Sequence, residues 1–178
     1  MIRPNYKTPR DITQEEVRAI CTIKDQSWPH SMESQLEWWK KYTAKNDVFV
    51  TLVNSGSILA FLRLRNRTVS VRGVCLGALC VTEVCVNERY QGQGLGMQLL
   101  DAAAAYVKKT NSSVAYLLCW DIQEPFYAAC GWHRTDASPQ IESASGQESR
   151  PLAKNERCMI FDPQNRLNGR IVLFGDVF

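Results

Sequence analysis

Residues 81–109 constrain the fold more than any other part of the sequence. A β-branched apolar run at 81–86 leads into a glycine-rich loop at 91–96, which opens directly into a long helical pattern at 97–109. A helix that begins this way leaves backbone N–H groups without intrahelical acceptors, and the positive end of the helix dipole lies behind them. The segment therefore predicts a strand–loop–helix unit able to bind an anion such as a diphosphate, with three glycines that let the backbone approach it: Gly92, Gly94 and Gly96.

The order of residues in this loop excludes two families of phosphate-binding loop. A P-loop requires Lys followed by Ser or Thr after its last glycine, whereas Met97 and Gln98 follow Gly96 here. A dinucleotide fingerprint requires Gly-x-Gly-x-x-Gly, and the third glycine of this loop comes one position too early. A tight strand–helix turn without any ligand is the alternative reading.

Length and composition indicate an ordinary globular protein. The 178 residues suit a single domain spanning 1–178, and the net charge of +3 is too small to indicate a nucleic-acid partner. The first residues lack the apolar core of a signal peptide, and no apolar stretch approaches the length of a membrane span. Seven cysteines without a Cys-x-x-Cys pair argue against a zinc site or a disulfide framework. We expect reduced, buried thiols (Cys75, Cys80, Cys85 and Cys119 among them) in a cytoplasmic protein that binds no metal.

The remaining pattern predicts alternating helices and strands. Thr13 and Glu16 have the spacing of a capping box, so a first helix begins after Thr13. Polar residues without apolar anchors predict a mobile loop at 136–156. The other predicted elements are a helix at 33–45, a hairpin at 48–53 and 58–64, long apolar strands at 75–86 and 114–119, a short helix at 124–129, and closing strands at 157–161 and 170–174.

Two motifs resemble those of the GNAT superfamily of N-acetyltransferases. Gln91-x-x-Gly94-x-Gly96 resembles its pyrophosphate-binding motif. The segment 120–132, with Phe126-Tyr127 and Gly131-Trp132, resembles its Phe-Tyr-x-x-x-Gly-Phe helix, although Trp132 replaces the final Phe. The resemblance covers about residues 45–135. It implies an α/β fold of GNAT type, in which a mixed, mostly antiparallel central sheet is flanked by helices and a splayed strand pair forms the acyl-CoA cleft.

The resemblance also implies acetyl-CoA as the cosubstrate and assigns residues to it. In the family, the loop amides hold the diphosphate and backbone groups of the preceding strand bind the pantetheine arm and polarise the thioester. The residues at the matching positions are Val84, Cys85, Val86, Gln91, Gly92, Gln93, Gly94, Leu95, Gly96, Met97 and Phe126.

Acetyl transfer to an amine requires a neutral amine and a proton for the departing thiolate. Tyr127 matches the family tyrosine that protonates the thiolate, and a phenol with an ordinary pKa of about 10 suits that role; a core aromatic is the alternative. Glu83 is the candidate general base, acting directly or through a water. It lies one place after the family position, Thr82, so a bulge is needed to turn it to the correct face. Cys85 and Cys119 have no histidine nearby in the sequence, which favours small core residues over nucleophiles.

The acceptor is indicated only by weaker features. The ending Gly175-Asp176-Val177-Phe178 is similar to that of the aminoglycoside 2′-N-acetyltransferase branch, in which the Asp and the terminal carboxylate contact a cationic sugar. This resemblance implies acceptor contacts at Asp176 and Phe178, and at Glu37 more loosely. A tail that merely ends a closing strand is the alternative.

The sequence thus predicts an N-acetyltransferase that moves the acetyl group of acetyl-CoA directly to a primary amine of a small polyamine-like or amino-sugar acceptor. We expect a monomer or homodimer that contacts neither nucleic acid nor membrane. Two alternatives stay open: an acetyltransferase acting on a protein or peptide amine, and a catalytically silent acyl-CoA-binding protein, which the displaced acid at Glu83 would suit.

Overall fold

The chain forms two compact units. The computed structural model describes residues 2–110, 114–135, 139–143 and 148–175. The first unit consists of the described residues up to Arg65 together with Thr82–Ala103, and the second of Asn66–Val81 together with the described residues from Ala104 onward. Strands β3 (Ser57–Val71) and β4 (Val74–Val86) and helix α3 (Leu95–Lys109) pass through both units.

The first unit packs two helices on three antiparallel strands. Strand β1 (Arg3–Lys7) pairs with β2 (Val48–Asn54), and β2 pairs with β3. Ile20, Trp39, Phe49 and Phe61 form an apolar cluster that joins these helices to the strands, and each is less than 10% exposed. The two helices of the unit are α1 (Gln14–Ser27) and α2 (Met32–Tyr42).

Local signals fix where these helices begin and end. The Thr13 hydroxyl accepts a hydrogen bond from the amide of Glu16, and the Glu16 carboxylate accepts one from the amide of Thr13, so the predicted capping box is confirmed. The second helix ends at Tyr42, three residues before the predicted Lys45. Asp47 accepts a hydrogen bond from the amide of Ala44 and so turns the chain into β2.

The second unit is dominated by strands, among them β5 (Ala115–Trp120), β6 (His133–Arg134), β7 (Gln140–Glu142), β8 (Ser149–Pro151), β9 (Glu156–Phe161) and β10 (Ile171–Phe174). Their order in the sheet is β6-β9-β5-β4-β3-β10-β7-β8. The β4–β5 and β7–β10 pairs are parallel, whereas β5–β9, β6–β9, β3–β10 and β7–β8 are antiparallel. Tyr116, Cys158, Ile160 and Leu173 lie in its apolar core. The unit also contains helix α4 (Glu124–Ala129).

The predicted fold class is confirmed: the protein is a mixed α/β structure with a mostly antiparallel sheet flanked by helices. Among the described residues, the ladder between β4 and β5 joins Leu79 to Ala115 and Cys80 to Tyr116. A ladder of two residue pairs agrees with the short contact that a splayed strand pair requires. No helix in the described part of the chain combines the length and apolar character needed to cross a bilayer.

Three sequence predictions are corrected. Strands β7 and β8 lie inside the predicted loop at 136–156, because Gln140–Glu142 pairs in parallel with β10, a partner far along the chain. Strand β3 continues to Val71 rather than ending at Leu64. Cys75 is exposed near the β3–β4 turn, although Cys80, Cys85 and Cys119 are buried as predicted.

Candidate functional site

The glycine loop begins α3 with free backbone donors. Gly92 and Gly94 have φ values of 73° and 78°, in the left-handed region that favours glycine. The amide of Gln98 donates to the carbonyl of Gly94 and closes the first helical turn. The three preceding amides, of Leu95, Gly96 and Met97, therefore lack acceptors within the helix and point along its positive end. No neighbouring atom lies within 4 Å of the position that a Cβ would take at Gly92 or Gly94, so this face of the loop is open.

Polar side chains brace the loop against the strand that precedes it. The Nε2 of Gln91 donates a hydrogen bond of 3.1 Å to the carbonyl of Val86, the last residue of β4. Asn87 caps the short 3-10 turn at Glu88–Tyr90 by accepting from the amide of Arg89. The side chain of Gln91 thus holds the loop in shape, and its contact with the cofactor stays a prediction. The Leu95 side chain is buried, whereas Met97 is 45% exposed.

Glu83 has a left-handed backbone inside strand β4. Its φ is 56°, which is uncommon for a residue with a Cβ. A left-handed residue interrupts the regular alternation of side chains along the strand. The bulge that would turn Glu83 to the other face stays a prediction. The distortion lies one residue before Val84–Cys85–Val86, the segment that the sequence predicts for the pantetheine arm.

Two cations contact the carboxylate of Glu83. Lys24 on α1 donates a hydrogen bond from Nζ to Oε1, and the Nε of Arg63 on β3 lies 2.9 Å from Oε2. The three side chains are between 1% and 7% exposed. The Arg63 contact is an ion pair without hydrogen-bond geometry, because neither its Nε nor Oε2 of Glu83 has a hydrogen-bond partner. No local sequence pattern indicates this arrangement, in which cations rather than a cleft offset the cost of burying the acid.

The ion pairs extend into a buried charged cluster. Asp47 is fully buried and accepts two hydrogen bonds from Arg65, at 2.8 and 2.7 Å, and lies 3.5 Å from Arg63. Both arginines also donate to the carbonyl of Tyr42 at the end of α2. The cluster therefore holds three cations and two carboxylates, and it ties α1, α2, β3 and β4 of the first unit to the turn before β2.

Aromatic rings cover the cationic side of the cluster. The Nζ of Lys24 lies 3.9 Å from the centroid of the Trp38 ring, and the guanidinium of Arg63 lies 5.2 Å from it. Trp39 and Phe49 face Arg63 at 5.0 and 5.5 Å. Such cation–π contacts stabilise charges that have lost water.

The buried thiols are unsuited to nucleophilic chemistry. Burial raises the pKa of Cys85 to about 12 and that of Cys119 to about 11. A thiol with such a pKa stays protonated at neutral pH, and the thiolate is the nucleophilic form. The geometry supports the reading of both residues as small core side chains.

In the second unit, α4 carries Phe126 and Tyr127. Tyr127 is 7% exposed and Phe126 is 41% exposed, with their ring centroids 5.1 Å apart in an edge-on arrangement. The carbonyl of Tyr127 accepts from the amides of Cys130 and Trp132, which closes the helix. Trp132, which replaces the family Phe, is buried against Phe161. Arg157 on β9 pairs with Glu124 at the start of the helix, at 3.4 Å.

The described part of the structure includes one of the three predicted acceptor contacts, Glu37. Glu37 is exposed on α2. Asp176 and Phe178 lie outside the described residues. A surface cavity of about 430 Å³ in the first unit is lined by α1, the β2–β3 turn and Asn87, and it includes Glu15 and Glu16. Within the described ranges, no group of three or more His, Cys, Asp or Glu side chains is placed to hold a metal ion.

The fold and the glycine loop define a class, the acyl-CoA-dependent N-acyltransferases. A family model described as an acetyltransferase (GNAT) domain matches residues 8–135. The chain therefore belongs to the GNAT acetyltransferase family, whose members are acetyl-CoA-dependent N-acetyltransferases.

Solved structures of the same fold are similar over most of the chain. A GNAT family N-acetyltransferase from Escherichia coli, YhbS, solved in complex with CoA, has a TM-score of 0.67 and 14% identity, covering 97% of this chain and 91% of that one. An acyl-CoA N-acyltransferase from Pseudomonas aeruginosa has a TM-score of 0.61 and 17% identity, covering 90% and 99%. Glucosamine-6-phosphate N-acetyltransferase from Arabidopsis thaliana has a TM-score of 0.56 and 16% identity, covering 75% and 94%. At these identities the likeness shows the fold alone.

Proposed function

We propose that this protein transfers the acetyl group of acetyl-CoA directly to a primary amine of a small, positively charged acceptor of the polyamine or amino-sugar type. The observation that carries the proposal is the loop at the start of α3. Left-handed glycines there leave the amides of Leu95, Gly96 and Met97 open to a diphosphate. The fit to coenzyme A rests on these donors and on the unobstructed space beside Gly92 and Gly94.

The remaining donor contacts follow the family resemblance. Backbone groups of Val84, Cys85 and Val86 bind the pantetheine arm and polarise the thioester carbonyl. Gly92, Gln93 and Gly94 contribute backbone atoms to the diphosphate site, and the exposed ring of Phe126 contacts the cofactor. Holding both reactants in one geometry supplies most of the rate enhancement in a direct transfer.

The chemical step forms one bond and breaks another. The amine nitrogen attacks the thioester carbonyl, the new N–C bond forms, and the C–S bond breaks to release CoA. Glu83 takes the proton that the acceptor ammonium must lose, through a water because its carboxylate is buried. Tyr127 gives its phenol proton to the leaving thiolate. The nitrogen of the adduct loses its second proton to water as the amide forms, and a proton from water restores the Tyr127 phenol. No covalent acetyl-enzyme is formed, in keeping with the raised pKa values of the Cys85 and Cys119 thiols.

Carboxylates in the first unit support a cationic acceptor. Glu37 is exposed on α2, and the exposed Glu15 lines the surface cavity beside α1. Exposed carboxylates attract a polyamine and bind it through charge-assisted hydrogen bonds. Asp176 and Phe178 are proposed as further contacts on the resemblance of the tail alone.

A second candidate is a catalytically silent acyl-CoA-binding protein. It is favoured by the contacts of Glu83, because both carboxylate oxygens already face cations. Release of free thiol from acetyl-CoA separates the two candidates when aminoglycosides, polyamines and peptides are offered in turn. Release that depends on a polyamine or aminoglycoside supports the enzyme. Thiol release with peptides alone would identify the acceptor as a protein amine. CoA binding without thiol release on any acceptor would support the catalytically silent protein.

A further inference from the structure

A short turn joins strand β4 to the glycine loop. It consists of the 3-10 segment Glu88–Tyr90, with Asn87 before it and Gln91 after it. The amide of Asn87 donates to the carbonyl of Leu59 on β3. The amide of Glu88 is the first donor of the 3-10 segment, so the segment itself offers it no acceptor. The amides that have acceptors inside the turn are those of Arg89, Tyr90 and Gln91.

Helix α1 supplies the missing acceptor. Oε1 of Gln26, in the last turn of α1, accepts a hydrogen bond of 3.0 Å from the amide of Glu88, 62 positions further along the chain. With this bond, every amide from Asn87 to Gln91 has an acceptor. Ile20 and Ile23 on the same helix are 0% and 2% exposed. Because α1 is packed in this way, a side chain on it can hold a surface turn in one position.

The position of the turn determines where the glycine loop begins. Gln91 braces the loop against the end of β4 through the carbonyl of Val86, and Gln26 braces it against α1. The glycines that follow have more backbone freedom than other residues, so ordering them around a ligand is costly. A loop whose entrance is already fixed loses less conformational freedom when the ligand binds, which strengthens binding.

We propose that Gln26 is a positioning residue for the donor cosubstrate: its hydrogen bond to the amide of Glu88 fixes the entrance of the glycine loop and so preorganises the loop amides for the diphosphate of coenzyme A. The inference rests on the proposed function, because it takes the loop to be the diphosphate site. Gln26 then affects binding of the donor rather than the chemical step, since it acts through the turn.

The test is the Kd for CoA, measured by isothermal titration calorimetry in the unaltered protein and in Gln26→Met. Methionine keeps the length of the side chain but removes the acceptor. We expect the Kd to rise about fivefold, the order of one neutral hydrogen bond, while kcat at saturating acetyl-CoA stays unchanged. Gln35→Met is the matched control. Nε2 of Gln35 on α2 also bonds to the backbone of another segment, at 2.9 Å from the carbonyl of Trp28, but not to the turn before the glycine loop.

Two further measurements distinguish a positioning role from a general loss of stability. Hydrogen exchange of the peptide that contains the Glu88 amide should be faster in ligand-free Gln26→Met than in the unaltered protein, and unchanged in Gln35→Met. S-acetylpantetheine is a donor without a diphosphate. Its KM should be equal in Gln26→Met and the unaltered protein, because it gives the loop amides no phosphate to bind.

The outcomes separate this inference from the proposed function. An equal Kd for CoA in Gln26→Met and the unaltered protein overturns the role of Gln26 alone. An equal rise of the Kd in Gln35→Met also overturns it, as does a KM for S-acetylpantetheine that rises as much as that for acetyl-CoA. CoA binding without turnover on any amine overturns the proposed function, while the comparison of Kd values still decides the role of Gln26. Absence of CoA binding by the unaltered protein overturns both.

Discussion

Lys24 and Glu83 form a buried ion pair although they lie 59 positions apart in the sequence. Each side chain is less than 10% exposed, and the pair joins α1 to a residue of β4 with a left-handed backbone. A carboxylate in this position is stable only while its cations are present, because an unpaired buried charge is costly. The pair therefore couples the stability of the first unit to the residue that we propose as the base.

Replacing Glu83 separates the structural from the chemical role of this residue. We expect Glu83→Gln to lose about 3–5 kcal/mol of unfolding free energy, because Lys24 and Arg63 lose their partner. It should also lower kcat by about 100-fold through loss of the base. Asp47→Asn is the matched control, since Asp47 is equally buried beside Arg63 and Arg65. Denaturant unfolding should show a similar loss of stability in both variants. Steady-state kinetics should show a loss of kcat in Glu83→Gln only. An equal loss of kcat in Asp47→Asn would show that Glu83 has no chemical role of its own.

Tyr127 is expected to act on the leaving group. Tyr127→Phe should lower kcat by about 100-fold and leave the Kd for CoA unchanged, because the hydroxyl takes part only after the donor is bound. Tyr116→Phe is the control in the same unit, a core tyrosine on β5 whose pKa is raised by burial. Isothermal titration calorimetry measures the Kd for CoA in both variants, and thiol-release kinetics measure their kcat. Unchanged turnover in Tyr127→Phe would reduce this residue to a packing role.

The glycine loop can be tested against a glycine of similar backbone conformation. Gly94 and Gly73 have φ values of 78° and 85°, with no atom within 4 Å of an added Cβ at either. Replacement by Ala should cost each variant about 1 kcal/mol of stability, because left-handed backbone is strained with a Cβ. Only Gly94→Ala should weaken CoA binding, by about tenfold. Equal CoA affinity in the two variants would argue against the loop as the diphosphate site.

The thiols should differ sharply in reactivity. Cys75 is exposed, whereas Cys85 and Cys119 are buried with pKa values of about 12 and 11. The raised pKa favours the neutral thiol, so the thiolate forms only as the pH approaches these values. At pH 8, iodoacetamide should modify Cys75 first and spare Cys85 and Cys119, as measured by peptide mass spectrometry. Rapid modification of either buried thiol, or an acetyl group found on one, would support a covalent route.

Glu37 is expected to recognise the charge of the acceptor. Glu37→Gln should raise KM for a polyamine several-fold without changing kcat, because an exposed carboxylate contributes to binding rather than to the reaction. Glu33 is a second exposed carboxylate on the same helix, so Glu33→Gln is the control. Equal KM values for the two variants would place the acceptor elsewhere.

Features carried by short sequence segments were predictable. The capping box at Thr13 and Glu16, the helix at 124–129 and the strand–loop–helix unit each depend on neighbouring residues, and the structure contains all of them. Even so, α3 begins at Leu95 rather than Met97, since Gly96 is accommodated in the first helical turn.

Features that depend on distant partners were not predictable. The charged cluster brings together side chains from separate elements: Lys24, Asp47, Arg63, Arg65 and Glu83. The sequence around each of these residues does not indicate which distant residue it contacts. The strand at Gln140–Glu142 is similarly defined by pairing with β10 rather than by its own composition. Polar residues at the middle of β3 interrupt the apolar pattern, which is why its continuation to Val71 was missed.

Release of free thiol from acetyl-CoA in the presence of amine acceptors, with mass spectrometry of the product, tests the central claim most directly. The proposed function predicts that release requires the amine and that each CoA formed is matched by one N-acetylated polyamine or amino sugar. CoA binding without amine-dependent release, across aminoglycosides, polyamines and peptides, would contradict it.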